Sequence, residues 1–220
     1  MVGVSSTQDA PTFVYLEVGE KRTFASAAEW PGWCRSGKTE QAALDALAAY
    51  APRYAAVAKL ARVRFPAHTT SFKVAERLKG NATTDFGAPG IPAAAESKPL
   101  SDAEAKRMSD LVAAAWAYLD KVVAKAPASL RKGPRGGGRD RDAMFIHVLG
   151  AEVDYAKKIG VQLKEPKDPD KTAVRAARKA ILERLANSNR GESWPVSYAA
   201  RRTAWHALDH AWEIEDRSKP

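Results

Sequence analysis

His206 and His210 stand four residues apart in WHALDHAWEIEDR. On an α-helix that spacing puts two side chains on one face, about 40° apart and one turn above each other. Two imidazoles so placed can direct nitrogens at one ion, as zinc-binding helices do. Ala207 follows His206, so the HExxH pattern of a metalloprotease is absent. A third histidine, His147, lies in FIHVLGAEVDY, a second helical stretch. Three imidazoles from two helices match a catalytic donor set, since three protein ligands leave coordination positions for water or substrate. Zn²⁺ or Ni²⁺ is the ion expected on such a set. The fourth histidine, His68, follows Pro66 in a loop and is expected to be solvated.

To share an ion, these histidines must point into the core of a helical bundle. The His206/His210 face continues through Val196, Ala199, Thr203 and Ile214, an apolar stripe suited to that core. Ala143, Gly150 and Ala151 lie on the face of His147, leaving room for a close helix or a ligand. Four helices are predicted from about residue 100 onward. SDAE is a capping box with Ser101 at the N-cap and Glu104 three residues in, opening a helix to about Lys125. The second helix starts at Asp140 and stops before Gly160. The third opens at DPD, with Asp168 as cap and Pro169 in the first turn, and ends by NSNRG. The fourth begins at Ser193 to Pro195 and carries the histidine pair. Four amphipathic helices of this length can close one core.

The preceding residues read as α+β. FVYLEV alternates, and KRTFASAAEW follows a Gly-Glu turn, which predicts a hairpin. WPGWCRSG is turn chemistry, and a helix follows from Thr39 with Pro52 breaking it. VRF and SFKVAERL are expected as short strands, and NATTDFGAPGIPAAAESKPL as a long loop, a linker or a functional flap. Asp85 in that loop could reach the metal site as part of a lid. The fold class is therefore α+β, with an α/β segment and linker over 1–98 and a metal-binding four-helix bundle over 99–220.

Composition limits the function classes. The 220 residues carry +9 net charge, but the densest basic cluster, SLRKGPRGGGRDRD, is glycine-rich and lacks the interleaved aromatics that stack on bases. Nucleic acid is not an expected partner. No apolar run approaches a bilayer span and the first residues contain no signal-peptide pattern, so a cytoplasmic protein with no membrane partner is expected. Cys34 is the only cysteine, which fits a reducing compartment, and it is expected to be a small buried hydrophobe. Trp205, Leu208 and Trp212 lie opposite the histidines. Packing against the N-terminal layer is their expected use, and a homodimer seam is the alternative. Glu152, Asp154, Asp209 and Glu213 are the acids that could orient the imidazoles, and Asp154, two turns beyond His147 on the same face, is the one chosen.

The helix order, with one histidine in the second bundle helix and H-x-x-x-H within WHALDHAWEIEDR in the fourth, resembles the DinB-like (YfiT-like) metal-binding bundles. In that family the matching positions, here His147, His206 and His210, hold a divalent metal. The resemblance covers about residues 100 to 217 and implies a long crossover at GVQLKEPKDP. It also implies a metal-dependent enzyme acting on a small-molecule substrate, as a transferase using a low-molecular-weight thiol or as a hydrolase. EWPGWCRSGKTEQAALDAL, after a strand pair, is similar to HicB-like antitoxin domains, a small and much reused fold. The rival from that side is a non-catalytic regulator whose metal is structural. A structural ion takes four ligands and three are visible, which favours the enzyme.

Overall fold

The alternation in FVYLEV becomes a real edge-to-edge pairing. In a computed structural model, β1 (Thr12–Val18) and β2 (Thr23–Ala27) form an antiparallel hairpin. The structure describes residues 11–66, 71–133, 138–164, 170–187 and 193–219. β3 (Cys34–Gly37) pairs antiparallel with β2, so half of the expected turn WPGWCRSG is strand. Only Pro31–Gly32 and their neighbours turn. α1 (Glu40–Ala49) is capped by Thr39, whose hydroxyl accepts from Ala42 N. α2 (Ala51–Leu60) carries Pro52 in its first turn, the predicted break. β4 (Phe72–Lys79) then returns parallel to β1, giving the sheet order β3-β2-β1-β4.

Val63–Phe65, expected as a strand, has no regular structure. Phe65 instead packs 4.9 Å from the rings of both Trp30 and Trp33. Burial of that aromatic ring outweighs the β-propensity of the stretch. Trp33 donates its indole N–H to Leu47 O at 2.9 Å, and the Tyr54 hydroxyl donates to Pro31 O at 2.8 Å, tying α1 and α2 to the turn.

The expected loop after β4 contains a short helix, α3 (Ala82–Phe86), and a 3-10 turn (Ala94–Ser97). It is a strap held down by carboxylates. Glu17, 2% exposed, accepts from the Thr84 hydroxyl, Gly90 N and Ile91 N. Asp85 accepts from Glu20 N and Lys21 N in the β1–β2 turn, so its carboxylate fastens a hairpin instead of serving a lid over the histidines.

Four long helices complete the chain: α4 (Asp102–Lys125), α5 (Arg141–Lys158), α6 (Lys171–Ala186) and α7 (Val196–Ser218). The Ser101/Glu104 capping box opens α4 as predicted, and Gly160 follows α5 at φ 84°. Asp170, the last residue of DPD, caps α6 by accepting from Thr172 N; Asp168 and Pro169 lie outside the described residues, as do His68 and Arg135. α4 lies against both α6 and α7, and α5 against α7.

One hydrophobic cluster runs from Val14 and Leu16 through Leu47 and Tyr54 to Leu111, Leu119, Met144, Leu208 and Trp212. The expected boundary at 98/99 therefore does not divide two cores. The Trp205/Leu208/Trp212 face is covered by the N-terminal layer. Trp205 meets Phe24 edge-on at 6.0 Å, and Trp212 meets Tyr50 at 5.1 Å. Gly32, at φ 92°, comes so near α7 that a Cβ there would lie 2.7 Å from Leu208 Cδ1. Cys34 is fully buried beside Phe24 and Trp205, as expected. No helix among the described residues is long and apolar enough to cross a membrane.

Candidate metal centre

α7 buries nearly its whole length, and its stripe of Val196, Ala199, Thr203 and Ile214 faces inward, which carries His206 inward with it. His206 is 8% exposed, whereas His147 on α5 and His210 are half-buried. The two helices bring the three rings together. His206 Nε2 lies 3.3 Å from His147 Nε2 and 3.2 Å from His210 Nε2. The ring of His147 stands 5.0 Å from that of His206 and 5.1 Å from that of His210, edge to face in both cases.

These spacings suit an ion. Four ligands placed tetrahedrally at metal–nitrogen distances of about 2.0–2.1 Å lie about 3.3–3.4 Å from one another. Nitrogen lone pairs that close repel unless a proton or a cation lies between them. The tautomers are compatible with a cation. His210 Nδ1 faces Glu213 Oε2 at 3.2 Å, so Nδ1 carries the hydrogen and Nε2 presents a lone pair to the centre. Burial, the first cause, holds His206 well below the ordinary histidine range, and the charges of His210, His147, Arg202 and Arg139 add to it. His147 is lowered by burial, by His210 and by Arg139. Both imidazoles are thus kept neutral at pH 7, the form that binds metal. His206 Nδ1 is buried and has no hydrogen-bond partner among the described residues.

Glu213, not Asp154, takes the orienting role. Its hydrogen bond from His210 holds its carboxyl below the usual range, with Arg217 adding to this. Arg217 Nη1 donates to Glu213 Oε1 at 2.8 Å, and Arg217 Nε donates to Arg131 O at 2.6 Å. Gly138, at φ 115°, lies over that guanidinium; a Cβ there would fall 2.8 Å from Cζ. Arg131 and Gly138 of the basic, glycine-rich segment thereby enclose the guanidinium that holds Glu213. Asp154 is exposed and lines a surface groove with Tyr155, Lys158 and Trp194. The other acids are committed elsewhere: Glu152 to Arg178, and Asp209 to Arg35.

Sequence reasoning missed the aromatic and cationic flank. Tyr155 lies 5.8 Å from the His206 ring and 5.3 Å from Trp194, while Arg202 rests over Tyr155 and Trp205. The available signal was helical spacing, because Arg202 precedes His206 by the same four residues that separate the two histidines. Comparison with protein-family models, curated proteins and solved structures found no match to this chain.

Proposed function

We propose that this chain is a metal-dependent enzyme of the DinB-like kind, acting on a small molecule as a thiol-dependent transferase or as a hydrolase. The convergence of His147, His206 and His210 Nε2 at 3.3 and 3.2 Å carries the proposal. Four long helices with the histidines on the second and fourth of them add support. The strand pair, turn, third strand and helix of the N-terminal part agree with the HicB-like resemblance. Zn²⁺ or Ni²⁺ bound to three imidazoles supplies Lewis acidity, lowering the pKa of a water or thiol that joins it.

The chain's own residues do the remaining work. His206 is kept neutral in the interior, and His210 is held in one tautomer by Glu213. Arg217, itself anchored on Arg131 O, donates to Glu213 and keeps it in place. His147 and His210 are only half-buried, which leaves the centre open to a small ligand from their side.

Untagged protein should take up about one divalent ion per chain, and His210→Ala should abolish tight binding while keeping the helical circular dichroism. Equal metal binding by wild type and His210→Ala would defeat the proposal. A Co²⁺-loaded sample should change its visible spectrum with 2-mercaptoethanol, since thiolate is a good ligand for a borderline metal. A spectrum indifferent to thiol, together with tight and salt-resistant nucleic-acid binding, would point to the regulator instead.

A further inference from the structure

We propose that Arg202 is the receptor for a carboxylate on the molecule that the metal centre receives, so that the substrate or co-substrate is a small carboxylic acid. Arg202 and His206 are four residues apart on α7 and therefore lie on one face, about 6 Å apart along the axis. The ring of Tyr155 bridges them: its centroid is 5.4 Å from Arg202 Cζ and 5.8 Å from the His206 ring. The inference rests on the metal-dependent function proposed above.

Several arginines in this part of the fold are paired. Arg201 holds Glu96, Arg217 holds Glu213, Arg35 holds Asp209 and Arg53 holds Glu215 and Asp216. Arg202 has no hydrogen bond or ion pair among the described residues, and its Nη1 is buried without a partner. Its guanidinium is positioned by aromatic rings instead, with Cζ 4.5 Å from the Trp205 centroid and 5.4 Å from that of Tyr155. A buried guanidinium donor without an acceptor costs about 1–3 kcal/mol, which a carboxylate bound to it would recover. Aromatic contacts fix the plane of the group without using its N–H donors. That is the pre-organised fork that binds a carboxylate through two parallel hydrogen bonds.

The surrounding field has the same sign. Arg202 and Arg139 both lie close enough to disfavour a charge on His206, and among the described residues Glu213 is the only carboxylate hydrogen-bonded to the three histidines. A divalent ion on neutral imidazoles adds two more positive charges. Such a centre favours an anion that coordinates at one end and pairs with Arg202 at the other.

The test compares two thiols of similar size on Co²⁺-loaded full-length protein. Mercaptoacetate carries a carboxylate, and 2-mercaptoethanol carries a hydroxyl in its place. Titration of the visible spectrum should show mercaptoacetate binding at least about ten-fold more tightly, as a charge-assisted pair predicts. Arg202→Met should remove that preference while leaving Co²⁺ stoichiometry and 2-mercaptoethanol affinity unchanged. Arg202→Lys, which keeps the charge but loses the fork, should retain part of it and guards against a folding defect in the methionine variant. Equal affinity for the two thiols in wild type, or a preference that survives Arg202→Met, overturns this inference and leaves the metal centre standing. Failure to bind Co²⁺ overturns both.

Discussion

Arg201 and Glu96 form a closed ion pair in the interior: Nε donates to Oε1 at 2.7 Å and Nη2 to Oε2 at 2.8 Å, with side chains 4% and 6% exposed. Arg201 also donates to Ile91 O at 3.0 Å, and Ser197 donates its hydroxyl to Glu96 O at 2.7 Å. The strap between β4 and α4 is thereby fastened to the helix that carries the histidine pair. Breaking one partner of a buried pair strands the other charge, at a cost of about 3–5 kcal/mol. Glu96→Gln should lower the urea midpoint by a corresponding amount, while the protein that remains folded binds metal as wild type does. A loss under about 1 kcal/mol would show that the pair does not secure the strap.

Glu213→Gln should weaken metal binding by about 10–100-fold, because a neutral amide is a weaker acceptor for His210 Nδ1–H and strengthens its donor nitrogen less. Asp154→Asn should leave affinity unchanged. Competition with a chromophoric chelator measures both, and a larger effect at Asp154 would reverse the assignment.

The contrast between these two acids shows what the sequence could reveal. Asp154 shares the helical face of His147 but lies seven residues along, roughly 10 Å away on the axis, beyond hydrogen-bond reach. Glu213 is within one turn of His210 and needed only the local rule for residues three apart. The helix start at Thr39, the cap at Ser101, the break at Pro52 and the histidine-bearing faces of α5 and α7 were legible because each is decided within a few residues. β3 and Asp85 were not. Cys34–Gly37 becomes a strand only because β2 lies beside it, and Asp85 bonds backbone groups 64 and 65 residues earlier. Long-range pairings of this kind leave no local periodicity to read.

Stability should fall as the pH rises above about 9. Burial pushes the Cys34 thiol from its ordinary 9.0 up to about 12, with the Ser26 hydrogen bond and the Arg201 charge opposing. Burial likewise raises Tyr198 and Tyr118 to about 12 from 10.0. The unfolded chain releases these protons first, so it binds fewer of them across that window and is favoured as pH increases. Cys34 and Tyr198 each contribute up to about 1.4 kcal/mol per pH unit, and the more exposed Tyr118 contributes less because solvent screens it. Urea midpoints at pH 8, 9 and 10, taken as roughly spaced points for this linkage, should decline, and Cys34→Ala should flatten the first part of the slope. Native Cys34 should also resist aromatic disulfide reagents at neutral pH until the chain unfolds.

Gly32→Ala should destabilise the protein by about 1–3 kcal/mol, since it combines an unfavourable φ of 92° with a contact of 2.7 Å to Leu208 Cδ1. Loss of the near-ultraviolet signal of the tryptophans that seat the sheet on α7 should accompany the thermal shift. A variant as stable as wild type would mean that the sheet and helix can separate at little cost.

α7 presents histidines on one side and receives the N-terminal sheet on the other, yet among the described elements it is the last to be synthesised. During translation, β1 to β4 and the first three long helices emerge without the surface that joins them. Neither the sheet's contacts with α7 nor the cluster of three histidines can close until this helix is free of the ribosome. The nascent chain should therefore expose Phe24 and Tyr50, the rings that Trp205 and Trp212 cover, to the cell's holding chaperones until synthesis of α7 is complete, and be able to take up a metal at the histidines only afterwards.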